Sequence, residues 1–170
     1  MSITMSSASV PIFVRMLSNV GVWLDKAEAH AAAKNFDPTV YLSARLSPDM
    51  LTFTKQIQIA CDTVKFCVAR LAGVESPKFE DKETTIAELR ERINATIAYA
   101  KSVPAAQIDG SEEREITIPR RDGSTIMTGE AYLKHFALPN FFFHVTTTYA
   151  LLRHNGVEIG KMDYLGAPKS

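Results

Sequence analysis

From Val10 onward, apolar positions return every three or four residues: Val10, Phe13, Val14, Leu17, Gly21 and Leu24. That is the period of one helical face, and it predicts a first helix over Ser9–Ala33 with Pro11 tolerated in its opening turn. Gly21 on this face is expected to let a neighbour approach closely. The stretch KNFDPTVYLSARL has no period and reads as a linker. A second stripe follows: Phe53, Ile57, Ala60, Cys61, Val64, Val68 and Leu71. Ser47-Pro48 reads as its N-cap and first helical position, and Gly73 as its stop. After the polar loop VESPKFEDKET, Thr85 and Glu88 form a capping-box pattern. They open a third helix through Leu89, Ile93, Ile97 and Ala100 to Pro104.

The period then changes. Glu115-Ile116-Thr117-Ile118 alternates, Asp122-Gly123 is a turn signal, and Thr125-Ile126-Met127 resumes extended character. A hairpin inserted before the last long helix is expected, with a charged tip. A short helix from Gly129 to Phe136 precedes Pro139, which falls in the first turn of a fourth helix closed by Gly156. The tail carries Val157, Ile159, Met162, Tyr164 and Leu165, enough apolar surface to dock on its neighbours. Four amphipathic helices and one hairpin predict an all-α four-helix bundle, with residues 1–170 as one domain.

Composition narrows the function classes. Basic and acidic residues balance at 19 each, and the closest thing to a basic cluster is Pro119-Arg120-Arg121, so nucleic acid is not an expected partner. No run approaches the roughly 18 to 20 apolar residues of a membrane span. The first residues lack a signal-peptide pattern, so the expected location is cytoplasmic. Cys61 and Cys67, with five residues between them and no second pair, offer neither a zinc knuckle nor a CxxC redox motif.

Candidate chemistry centres on the fourth helix. LPNFFFHVTTTYALLRHNG is apolar over most of its circumference and so is expected to lie centrally, yet it holds His144. Asn140 precedes it by one i, i+4 step. On helix two, Asp49 and Gln56 lie toward one edge of the buried stripe and are placed to face it. A buried polar cluster costs stability unless its members satisfy one another. Asp49, Gln56, Asn140 and His144 are therefore either a structural network or a site.

The stretches LPNFFFHVTTTYALLRHNGVEIGKMDYLG, LSPDMLTFTKQIQIACD and RLAGVESPKFEDKETTIAELRERI together resemble an uncharacterised family, a domain of unknown function in the DinB/YfiT-like superfamily of four-helix bundles. That resemblance implies a DinB-like bundle. Metal-binding members of the superfamily use three histidines, one from helix two and a His-x-x-x-His pair on helix four, to hold a divalent metal such as zinc or nickel. Some are thiol-dependent S-transferases or hydrolases, and many are dimers. His144, Arg153 and Gly156 fit the frame around the second histidine of the pair. Asn140 stands where the first would be, and Gln56 is the nearest candidate for the third ligand.

Two classes of function follow. One is a metal-dependent transferase or hydrolase acting on a small molecule through His144, with Asn140 and Gln56 as the other ligand positions and Asp49 as the available carboxylate. The other is a non-catalytic homodimeric bundle that binds a small-molecule ligand or serves as a scaffold. Amides are poor ligands for zinc or nickel but suit hydrogen bonding to a neutral ligand.

Overall fold

In the computed structural model, which describes residues 3–166, helix α1 spans Val10–Lys34. Its buried stripe runs from Phe13 through Leu17, Trp23 and Leu24 to Ala31, and Asn35 ends it in the left-handed conformation at φ 57°. The close approach expected at Gly21 does not occur. A Cβ built there would meet nothing within 4 Å, because position 21 falls beside the buried stripe and not within it. Beyond Asn35, the Asp37 carboxylate accepts from the Thr39 N–H at 2.8 Å and opens a 3-10 turn over Pro38–Ser43. The turn buries Tyr41, whose hydroxyl pairs with His30 Nδ1 at 2.7 Å.

Helix α2 covers Phe53–Ala72 and starts later than the Ser47-Pro48 pattern predicts. Those residues make a turn instead. The Met50 N–H reaches the Ser47 carbonyl at 3.0 Å, and the Ser47 hydroxyl donates to Asp49 at 2.6 Å. Proline suits the second position of a turn as well as the first position of a helix, so the same residues fit both. The true N-cap is Thr52, whose hydroxyl accepts from the Lys55 N–H. Helix α3, Ile86–Ser102, opens on the expected capping box: Thr85 and Glu88 exchange hydrogen bonds at 3.1 and 3.0 Å.

One helical turn, α4 (Ala105–Ile108), leads to the antiparallel strands β1 (Glu115–Arg120) and β2 (Gly123–Thr128). Arg120 pairs with Gly123, so the two-residue turn is Arg121-Asp122, one position earlier than Asp122-Gly123. Ile116 and Ile118 point into the protein, while Ile126 on the partner strand is exposed. The hairpin is anchored at its base by Gly129. A Cβ there would lie 2.0 Å from the Ser111 carbonyl oxygen, so only glycine fits this close backbone approach.

After β2 the chain does not stop and restart around Pro139 as the sequence suggests. Helix α5 (Gly129–Tyr132) runs through a π-helical turn at Leu133–Ala137 directly into α6 (Leu138–His154). Proline has no N–H and crowds the carbonyl of the preceding turn. The widened turn, in which the Leu138 N–H bonds the Leu133 carbonyl, absorbs that crowding without breaking the helix.

The long helices α1, α2, α3 and α6 form the four-helix bundle, with α6 packed on α2 and α1. Phe13 meets Phe141 edge-on at 4.9 Å in the core. The tail docks through buried Val157 and Ile159 and a last turn, α7 (Lys161–Leu165). There Tyr164 stacks on Trp23, whose indole N–H donates to the Asp163 carbonyl at 3.1 Å. Met162 and Leu165 remain exposed. No helix among the described residues is long and apolar enough to cross a membrane.

Candidate functional site

The seam between α2 and α6 carries the polar residues of interest. His144 Nδ1 lies 2.7 Å from Gln56 Oε1. The Gln56 amide nitrogen donates to the Leu51 carbonyl at 3.1 Å, which fixes the orientation of the carboxamide. A carboxamide oxygen only accepts, so Nδ1 carries the proton and Nε2 keeps its lone pair. Nε2 has no protein partner among the described residues. The ring is nearly enclosed, 7% exposed, with the Phe143 ring edge-on at 5.2 Å.

Burial disfavours the imidazolium and holds the His144 pKa below its ordinary value of 6.5. The unfolded chain therefore binds a proton here before the folded one does. The stability that neutral His144 contributes is fully present above about pH 6.5 and falls as pH drops below that value, until the folded-state pKa is passed. Melting temperatures from pH 8 to 5 should show this decline in the wild type and a flatter profile in His144→Asn. Identical profiles would show that the imidazole titrates freely.

Asn140 lies one turn before His144 on α6 but serves a different partner. Its amide donates to Thr63 Oγ1 at 2.8 Å, and the Thr63 hydroxyl donates in turn to the Ile59 carbonyl at 2.8 Å. Asp49 stays outside this group. It is exposed on the turn before α2, where the Ser47 hydroxyl bond and a backbone hydrogen bond hold its carboxyl below the usual range. The seam thus joins Gln56 to His144, pairs Asn140 with Thr63, and leaves Asp49 in solvent.

This donor set does not fit a transition-metal centre. Gln56 is placed as the group that orients the imidazole, the position an outer-shell partner takes, and its oxygen is committed to the ring N–H. What remains is one bare imidazole nitrogen and the Asn140 carboxamide oxygen, fewer than the three protein ligands of a catalytic zinc site and partly of the wrong type. No cluster of three or more His, Cys, Asp or Glu groups placed to hold a metal occurs among the described residues. Cys61 supplies no nucleophile at neutral pH, since burial pushes its thiol up to about 12.

Beside Asn140 the seam opens into a cleft of about 270 Å³. Ile59, Thr63, Phe66 and Arg70 recur at helical spacing along α2 and form one wall. Tyr132, Phe136 and Asn140, four residues apart, form the other, and Ile118 of the hairpin closes an end. The guanidinium of Arg70 lies 5.1 Å from the Phe66 ring and 5.6 Å from the Tyr132 ring, and Nη1 donates to the Tyr132 hydroxyl at 3.0 Å. Sequence reading nominated Asn140 but not Arg70 or Tyr132. The continuous helix across Pro139 is what sets Tyr132, Phe136 and Asn140 in one row. A larger hollow of about 540 Å³ lies between α3 and the loop before it, but its rim of lysines, glutamates and Arg92 is shallow and largely ion-paired internally.

Comparison with known proteins agrees with the fold. Residues 5–165 match the family described as Domain of unknown function (DUF1993). No curated protein matches the chain. A similar solved structure is the 1.83 Å crystal structure of a DinB family member protein from Shewanella denitrificans. It is 44% identical, with a TM-score of 0.91, over 97% of this chain and 93% of that one. The chain belongs to the DUF1993 family of uncharacterised, DinB-like helical bundles.

Proposed function

We propose that this protein is a small-molecule-binding bundle whose site has moved from metal chemistry to the α2–α6 cleft. The observation that carries this reading is the cleft itself. It is apolar on most of its surface, with a few polar groups converging from Arg70, Tyr132, Thr63 and Asn140, which is the make-up of a ligand site. At about 270 Å³ it is slightly below the range for drug-sized ligands, so its occupant is small. The Gln56–His144 pair acts as a lock between the two helices that form the cleft. A metal-dependent transferase or hydrolase is the reading the donor set supports less well, since only one imidazole nitrogen is free to ligate.

Two measurements on protein purified without an affinity tag test this. Elemental analysis after incubation with zinc or nickel and desalting should give well under one equivalent of metal. Ligand-observed NMR with a panel of small aromatic and aliphatic molecules should show binding that Asn140→Phe, which fills part of the cleft, removes. Stoichiometric metal lost in His144→Ala would restore the metal reading. Binding unchanged by Asn140→Phe would place the ligand elsewhere.

A further inference from the structure

Among the charged side chains of α2, Arg70 is unusual in what it lacks. Lys55, Asp62 and Lys65 each pair with an opposite charge. Arg70 has no carboxylate partner among the described residues, and its contacts are two ring faces and one phenol. Nη1 is taken by the Tyr132 hydroxyl, which leaves Nη2 and Nε to donate elsewhere. A guanidinium stacked on aromatic faces is held in one plane with its fork pre-set, so little freedom is lost when an anion docks. The Tyr132 hydroxyl accepts from Arg70 and has its own proton to give, placing a second donor beside the first. Asp62 also lines the cleft, but the same carboxylate oxygen is held by Arg92 and Lys65, both at 2.9 Å, so its charge is already compensated.

We infer that the cleft is a site for small organic carboxylates, with Arg70 and Tyr132 holding the carboxylate and Phe66, Phe136, Ile59 and Ile118 enclosing an apolar body. This rests on the reading of the seam as a ligand cleft and adds the charge and shape of what enters it. A carboxylate matches one guanidinium in charge and in fork geometry. A second guanidinium, Arg120, stands 4.9 Å over the Phe136 ring but is exposed on the hairpin, so the single fork of Arg70 within the cleft matches a carboxylate better than a phosphate dianion. Asn140 also lines the cleft: one of its amide N–H groups is given to Thr63, which leaves the second N–H and the carboxamide oxygen to meet a ligand.

Benzoate and benzamide share a ring and differ in charge, so the pair isolates the anion preference. Nitrogen-15 spectra of the full chain, titrated with each at pH 7, should show benzoate shifting the Arg70 Nε–H and the Asn140 side-chain amide. Its Kd should be at least about tenfold below that of benzamide, as expected for a hydrogen bond to a charged group. Arg70→Gln should erase the difference between the two probes. Arg70→Lys, which keeps the charge and loses the fork, should fall between and serves if the glutamine variant melts early. Equal binding of the two probes at these resonances, or inorganic phosphate binding as tightly as benzoate, would overturn the carboxylate assignment and leave the cleft as a ligand site. No shift at Arg70 or Asn140 with any probe would overturn both.

Discussion

Replacing Arg92 with leucine is expected to destabilise the fold by about 3–5 kcal/mol, the range for removing one partner of a buried ion pair. The side chain is 2% exposed and sits on α3 beneath the loop that joins α2 to α3. Nη2 bonds Asp62 at 2.9 Å, and Nη1 bonds Glu83 at 2.9 Å and Asp81 at 3.0 Å. It also reaches the Glu80 carbonyl at 3.2 Å. Leucine fills part of the space but leaves these carboxylates facing an apolar wall. Asp62 and Asp81 retain some contact with water and Lys65 and Lys55 as partners, which places the cost toward the lower end. Glu83 does not have that escape. Burial opposes its ionisation, but the hydrogen bonds from Arg92 and Gln58 outweigh that and hold its carboxyl below the usual range. That stability is present at neutral pH and is lost as pH falls through the lowered folded-state value. Thermal melting should show a drop of roughly 6 to 20 °C for a chain of this size. A change worth under about 1 kcal/mol would mean that the loop carboxylates simply turn to solvent, as surface pairs do. Because Asp62 also lines the cleft, Arg92→Leu should weaken benzoate binding too, by leaving a negative charge less compensated at its wall.

Arg92 shows where sequence reading stops. The α3 stripe of Leu89, Ile93, Ile97 and Ala100 is visible as a period, and so is the capping box that starts it. Both are local signals. An arginine inside such a helix looks like part of the solvated face until the fold brings a distant acidic loop across it. The same division holds elsewhere. Helix existence, the hairpin and the docking of Val157, Ile159 and Tyr164 were legible because each depends on apolar spacing or turn chemistry within a few residues. The start of α2 and the passage through Pro139 were not. Ser47-Pro48 satisfies a turn and a helix equally, and a π-helical turn leaves no residue pattern of its own. The second point matters for the site, because that uninterrupted helix is what aligns Tyr132 with Asn140 and makes a cleft out of two separate segments.

The polar seam was legible in part for the same reason. Asn140 and His144 share a face by helical spacing alone, and a histidine on so apolar a helix needs a partner. Gln56 was nominated because it lies toward one edge of the α2 stripe, and the structure buries it there beside His144. Asp49 was carried along by the misplaced helix start: seven residues before Gln56 means the same face only if the chain is already helical. Which way each amide turns is beyond any spacing argument, and it decides the chemistry. Gln56 presents its oxygen to the ring N–H, and Asn140 presents its nitrogen to Thr63.

Those orientations lead to the other large expected effect. Gln56→His combined with Asn140→His should give a chain that takes up zinc. Residues 140 and 144 stand one turn apart on α6, the i, i+4 spacing that puts two imidazoles on one helix face. Residue 56 already touches His144 across the seam. Three imidazoles with one open position are a complete ligand set for a catalytic-type zinc site. In the metal-free state the double variant should be less stable than wild type by about 1–3 kcal/mol, because His144 Nδ1–H loses its oxygen acceptor. Zinc at about a hundred times its Kd should then raise stability by about 2.7 kcal/mol, or roughly 5 to 11 °C in melting temperature. The comparison is made within the variant, with zinc against EDTA, so that the two opposing effects separate. Wild type should show no zinc-dependent shift, and Asn140→His alone a smaller one. If the folded double variant ignores zinc, residues 56, 140 and 144 do not converge closely enough to form a three-histidine centre. If it binds, two amides are all that separate this bundle from one that takes up zinc, and in the wild type the pairing of Gln56 with His144 bridges α2 and α6 without a metal.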